Sequence, residues 1–243
     1  MGIAYYPSES LELNIARGIV KGTSFIHKFG AVPTMSTNTT GTIWDVGDTL
    51  YPWSTWSGSS VLTIAANSTE NGKTVTIYGL DSSYNAIDET VTISGGAATT
   101  TKSFLRVYRA FCSATNTNNI DIKISSTTVA RITAGLAQTL MAIYTVPANH
   151  TGYLIQGTMT AQAGADATGN MFVRYFGQTS FRVGHSFEVS GAGGQYIYKF
   201  PVPLAIPEKS DIDVRITTRS NNGRYTSAFD LILIKTGLAV EPL

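Results

Sequence analysis

The chain has 243 residues, enough to bury the core of one large β domain or two of ordinary size. Charged residues make up 14% against roughly 25% in an average globular domain, while Thr, Ser, Asn and Gly abound, which suits a β protein with many turns and a surface built for subunit contacts. The formal net charge of +1 excludes a bulk electrostatic attraction to nucleic acid or to an anionic membrane.

Met1 to Pro7 lacks the basic and apolar regions of a signal peptide, and Tyr6 stands where a myristoylation signal wants Ser or Thr. No apolar run reaches the roughly 18 residues that span a bilayer. The first 30 or so residues read as an extended arm (1–30). Within it Leu11, Leu13 and Ile15 alternate with polar residues, which predicts a short strand. Such an arm lies on a neighbouring subunit or joins its own sheet; both readings stand at this level.

Residues 38–60 are polar and loop-like but carry Trp44, Tyr51, Trp53 and Trp56. Three uses are open to that aromatic loop: capping the core, anchoring a subunit interface, or stacking on sugar rings. Val61 to Ile64 is a strand, and Asn71-Gly72 is a hairpin-turn signal. In Thr74–Gly95 two limbs alternate apolar residues with threonine around Asp81-Ser82-Ser83-Tyr84-Asn85, which predicts a β-hairpin whose turn is held by Asx-type hydrogen bonds. Strands follow at Ser103–Cys112 and Ile120–Ile124, and the lone Cys112 reads as a buried strand thiol.

Ser125–Thr128 is the expected hinge, dividing a first β-sandwich or small barrel (31–127) from a second, jelly-roll-like sandwich (128–243). After it, strands are expected at 138–147, 152–161, 171–176, 181–189 and 195–200. A final pair, Asp211–Thr218 and Ser227–Ile234, is expected to join across Asn222-Gly223. Alternation of Ile212, Val214 and Ile216 with Asp213, Arg215 and Thr217 predicts one wet face, whereas Phe229–Ile234 is apolar almost throughout and belongs inside a sheet. The fold class is therefore all-β, with two sandwich or jelly-roll-like domains and an N-terminal arm.

The sequence offers no catalytic constellation. His27, His150 and His185 have no second ligand at metal spacing, the Asp81 turn lacks the glycine and terminal glutamate of a calcium loop, and Asp88 and Glu89 would point to opposite faces of a strand. No metal, cofactor or enzyme activity is expected. The arginines, Arg106, Arg109, Arg131, Arg174, Arg182, Arg215, Arg219 and Arg224, are spread through strands, which favours salt bridges at subunit contacts over a nucleic-acid stripe.

The Thr74–Gly95 hairpin with Phe104-Leu105-Arg106-Val107 resembles a pattern of virion structural proteins from tailed bacteriophages. Ala142–Ala148 with Gly152-Tyr153, and Pro203–Asp211, resemble the early strand and late loop of a β-sandwich module from the same group. These resemblances span about 74–112 and 138–234 and rest on β patterns and turn residues. They imply a virion component, assembled in the host cytoplasm: a capsid decoration or cement protein, or else a neck, tail or fibre component. They also imply a homo-oligomer, a trimer by preference, seated on the major capsid protein or other virion proteins. A glycan-binding host-attachment module is the alternative of a different class. The interface candidates are Leu11, Leu13, Ile15, Trp44, Tyr51, Trp53 and Trp56.

Overall fold

A computed structural model describes residues 10–190, 194–219 and 222–237; the Met1–Pro7 reading lies outside them. In chain order the elements are α1 (Leu11–Ala16), β1 (Thr23–Met35), β2 (Thr40–Thr42), β3 (Thr63–Ala65), β4 (Thr74–Leu80), β5 (Ala86–Thr92), β6 (Ala97–Thr99), β7 (Arg106–Cys112) and β8 (Ile120–Ile124). They continue with β9 (Thr127–Ile132), β10 (Ile143–Thr145), β11 (His150–Ala161), β12 (Ala167–Arg174), β13 (Arg182–Val189), β14 (Gln195–Ile206), β15 (Asp211–Thr218) and β16 (Gly223–Lys235). The protein is all-β, as its two-residue periodicity predicts.

Two hydrophobic clusters organise the strands. The first lies between a sheet ordered β1-β16-β11-β14 and a sheet ordered β10-β15-β12-β13, with β2 also on β15. Leu154, Met159, Phe229 and Leu231 from one sheet meet Met171, Val173, Ile212 and Val214 from the other. The second cluster takes Ile64, Ile120, Ile122 and Val129 from the sheet β6-β3-β8-β9, and Val75, Ile77, Val107 and Ala110 from the sheet β5-β4-β7. The apolar run Phe229–Ile234 does sit in a sheet interior, on β16 between β1 and β11.

The chain leaves the first cluster and returns to it at one place. Trp44 bridges Met141, and the Ala142 N–H donates to the Ile43 carbonyl at 2.9 Å. Gly30 on β1 makes room there, since a Cβ at that position would stand 2.4 Å from both the Ala142 nitrogen and the Ile43 oxygen. Residues 44–141 thus form an excursion between β2 and β10.

Several expectations need correction. Leu11, Leu13 and Ile15 lie on a helix, not a strand: the Ser10 hydroxyl accepts from the Leu13 N–H at 3.2 Å, and a capped Leu-Glu-Leu run favours helix. Residues 23–30 are no arm, because β1 pairs with β16 from Thr23 onward. Ser125–Thr128 is no hinge but a tight turn, with Ile124 paired to Thr127 and Ser125 at φ 52°. A boundary at 127/128 would split that hairpin and part β1 from β16. Asn71-Gly72 closes a turn instead of a hairpin: Lys73 N–H donates to the Glu70 carbonyl, with φ −57° at Asn71 and +83° at Gly72, a type II geometry that glycine permits. Strands β15 and β16 are not paired across Asn222-Gly223; they belong to opposite sheets.

Candidate functional site

The aromatic loop packs inward. Trp44, Tyr51, Trp53 and Trp56 are all buried, so they offer neither an exposed interface anchor nor a stacking platform for sugars; they cap the core. Their polar ends are partnered, as buried indoles and phenols require. Trp44 Nε1 donates to the Thr49 carbonyl, Trp56 Nε1 to the Tyr51 hydroxyl at 3.0 Å, and Trp53 Nε1 to Asp213 Oδ2 at 2.8 Å. Tyr51 stands edge-on to both Trp44 and Trp53.

Asp213 belongs to a buried ionic network between the two clusters. The face of β15 predicted to be wet is instead covered, with Asp211 and Asp213 almost fully buried. Arg106 grips Asp211 through Nε at 2.9 Å and Nη2 at 3.2 Å, Arg174 Nη2 reaches it at 2.6 Å, and the Thr145 hydroxyl donates at 2.6 Å. Arg215 Nε and the Thr42 hydroxyl donate to Asp213 at 2.7 and 2.9 Å. Arg174 and Arg215 also lie over the Phe181 ring, and Arg106 and Arg174 over Trp53. Three of the eight arginines expected at subunit contacts, Arg106, Arg174 and Arg215, therefore pair within the chain. The Asp-x-Asp-x-Arg alternation was a visible signal of a polar strand face, but nothing in the sequence names residues 106 and 174 as its partners.

Among the described residues, the outer face of β1-β16-β11-β14 is left open. Directly opposed residues share a face. One outward row is Phe25, Ile232, Tyr153 and Ala205, and another is Phe29, Ala228, Thr158 and Ile197. Between them runs a polar row of His27, Asp230, Gln156 and Lys199, in which His27 Nδ1 and Gln156 Nε2 each sit 2.5 Å from the Asp230 carboxylate. Phe25 is 46% exposed and Ile197 60%. Ile234 extends the apolar surface at the Thr23 end of β1. These residues escaped the sequence reading, although apolar side chains on both parities of 25–29 signalled a strand apolar on both faces. Of the helix residues, Ile15 is buried while Leu11 and Leu13 are exposed.

The remaining titratable groups have structural settings. His150 Nδ1 lies against the Ala148 carbonyl, and His185 stacks on Tyr198 at 4.4 Å, where burial lowers its pKa. Cys112 is buried on β7, as expected of a strand thiol. The Asp81 carboxylate accepts from the Ser83 and Asn85 N–H groups, both at 2.8 Å, which is the Asx-type turn expected there. Among the described residues no group of three or more His, Cys, Asp or Glu side chains is placed to hold a metal ion, and no helix is long and apolar enough to cross a membrane.

No protein-family profile matches the chain, and no curated protein does. Among solved structures, the chain is aligned with a structure of the infectious bursal disease virus Gx strain at 10% identity, covering 88% of this chain and 77% of that one, with a TM-score of 0.21. A structure of the Gt strain aligns at 12% identity over 90% of this chain and 71% of that one, also at 0.21. Scores that low support no conclusion about fold or function.

Proposed function

We propose that this chain is a non-enzymatic virion structural protein of a tailed phage, a decoration or cement protein that stabilises the head through subunit interfaces. The observation that carries the reading is the outer face of β1-β16-β11-β14, which is open among the described residues and sets two apolar rows on either side of one polar row. Its strands are 12 or 13 residues long. Four strands about 4.8 Å apart, rising about 3.4 Å per residue, present on the order of 800 Å². That matches the roughly 800 Å² each partner buries in a standard stable interface. The occupant we assign to it is a second copy of the chain, within a homo-oligomer of the trimeric kind that the sequence resemblance implies.

The strand orders add support. Eight antiparallel strands arranged β1-β16-β11-β14 against β10-β15-β12-β13, with long connections, fit a jelly roll, an architecture used by viral capsid proteins and lectins. We read the molecule as that domain carrying the 44–141 excursion as a second β module. Mechanically, the Arg–Asp network would bind the two modules into one unit, and the open sheet face would bind one unit to the next.

Rebinding tests the proposal. Purified chain added to particles stripped of it is expected to bind saturably and raise their resistance to heat. Failure to rebind, combined with saturable binding to a member of a glycan panel, would overturn the structural reading in favour of host attachment.

A further inference from the structure

The seam between β1 and β7 holds two cations that the ionic network does not use. Lys28 is only 7% exposed, and its ammonium donates to the Tyr108 carbonyl, one use of three available donors. Tyr108 is the extra residue of a β-bulge: Tyr78 pairs with Arg109 and Gly79 with Val107, so Tyr108 has no partner on β4. Bulges of this kind re-aim side chains and recur beside binding sites. The Tyr108 ring lies 5.7 Å from the Lys28 nitrogen and edge-on to Tyr144. Arg109, next in sequence, is exposed and lies beside Lys28 with its guanidinium over the Phe111 ring. Neither cation has a carboxylate partner among the described residues, whereas Arg106, Arg131, Arg174, Arg215 and Arg219 each have one.

Both line a cleft of about 180 Å³ with His27, Phe29, Gln138 and Thr139. The volume exceeds that of several waters at about 30 Å³ each, so a small anion fits with part of its hydration shell. A buried ammonium beside a second cation is expensive unless an anion offsets it. The cost is visible in Lys28, whose pKa falls to about 7 through burial and then through repulsion from Arg109.

We propose that the Lys28–Arg109 cleft is a binding site for a small oxyanion, a phosphate or a carboxylate, held by the ammonium, the guanidinium and the Gln138 amide. Lys28 comes from the first cluster's sheet and Arg109 from the excursion, so a bound anion ties the two together at a point distant in sequence from the Asp211 network. The cleft shares His27 and Phe29 with the outer sheet face, but anion binding there does not rest on the assembly role proposed above.

Thermal unfolding and calorimetric titration of the full chain at about pH 6 test it, with inorganic phosphate, acetate, or chloride at matched ionic strength. Saturable stabilisation by phosphate beyond chloride is expected. Stabilisation by acetate as well makes the cleft a general oxyanion site that also takes carboxylates, and its absence makes it selective for phosphate. Arg109→Gln, an exposed change that leaves the core intact, should weaken binding roughly 10-fold or more, as loss of a charge-assisted hydrogen bond does. Lys28→Met should abolish binding while keeping the apolar stem. No saturable effect in the native chain, or one unchanged in Arg109→Gln, means an adventitious ion only and overturns the proposal.

Discussion

Trp53 donates its indole N–H to the Asp213 carboxylate at 2.8 Å, joining residues 160 positions apart and tying the excursion to the first cluster's sheet. Both side chains are buried, and Asp213 also takes donors from Arg215 and Thr42. Asp213→Ala strands a partly buried guanidinium and a buried indole N–H, and should cost about 3 kcal/mol in denaturant unfolding. Trp53→Phe removes one donor to a charged acceptor, for about 1–3 kcal/mol. A double-mutant cycle should return a coupling of at least ~0.5 kcal/mol, and strict additivity would show that the bond contributes nothing.

Glu70 is fully buried and saturated with donors: Lys73 Nζ at 2.6 Å, the Thr117 hydroxyl at 2.6 Å, and the Thr117 and Asn118 N–H groups at 3.0 and 2.9 Å. The Lys73 bond first, then Thr117, holds its pKa well below the usual carboxylate range. A depressed folded pKa gives stability above the unfolded value that is lost as pH falls. Glu70→Gln should therefore destabilise the chain at pH 7, by about 3 kcal/mol if the pair behaves like other buried ones. The gap between native and variant chains should narrow as pH drops below about 4.3. A pH-independent gap would contradict this account.

Asp45 behaves in the opposite sense. Its Oδ1 is buried without a partner, while Oδ2 receives only long bonds from Thr133 and the Leu140 N–H, at 3.3 and 3.4 Å. Burial raises its pKa from 3.8 to about 7. Because the folded value is raised, the favourable contribution is complete below about pH 4 and is lost as pH climbs through 7. Asp45→Asn imitates the protonated acid, so it should be near neutral at about pH 3 and increasingly stabilising as the pH rises towards 8. Equal effects at both pH values would sink the argument.

The adjacency of Ile43 and Ala142 makes a test of modularity. Replacing residues 45–140 by a short turn should leave a chain that still gives a β-type circular dichroism spectrum and a cooperative melt. Its stability should fall, since Asp211 loses Arg106. A fragment starting at 128, by contrast, lacks β1 and should not fold. The opposite pair of results would mean that the excursion is integral to one core.

How much of this was legible in the sequence follows from the range of each signal. The Thr74–Gly95 hairpin and its Asp81 turn are local, so periodicity and turn chemistry sufficed. The place of Phe229–Ile234 on a central strand was legible because the run is apolar almost throughout, with apolar residues on both parities. Partner choice was not legible. Ser125–Thr128 read as a hinge because the same polar residues serve a tight turn, and only the pairing of Ile124 with Thr127 separates the two. The pairing of β1 with β16 spans nearly the whole chain, and a residue-by-residue reading carries no trace of it. Trp44, Tyr51, Trp53 and Trp56 were singled out as interface candidates, yet composition could not say which way they faced, and all four are buried. Leu11–Ile15 misled because alternation over five residues also fits a capped helical turn.

Association through the outer face of β1-β16-β11-β14 is open to a direct measurement. Sedimentation velocity should be run on the native chain and on Ile197→Lys, alone and with stripped particles. Ile197 is exposed, so the substitution leaves both cores untouched. The native chain should sediment as an oligomer, or do so once on the particle, and Ile197→Lys should stay folded but lose that association. A native chain that remains monomeric in both settings, or a variant that associates as well as the native chain, would contradict the proposed assembly.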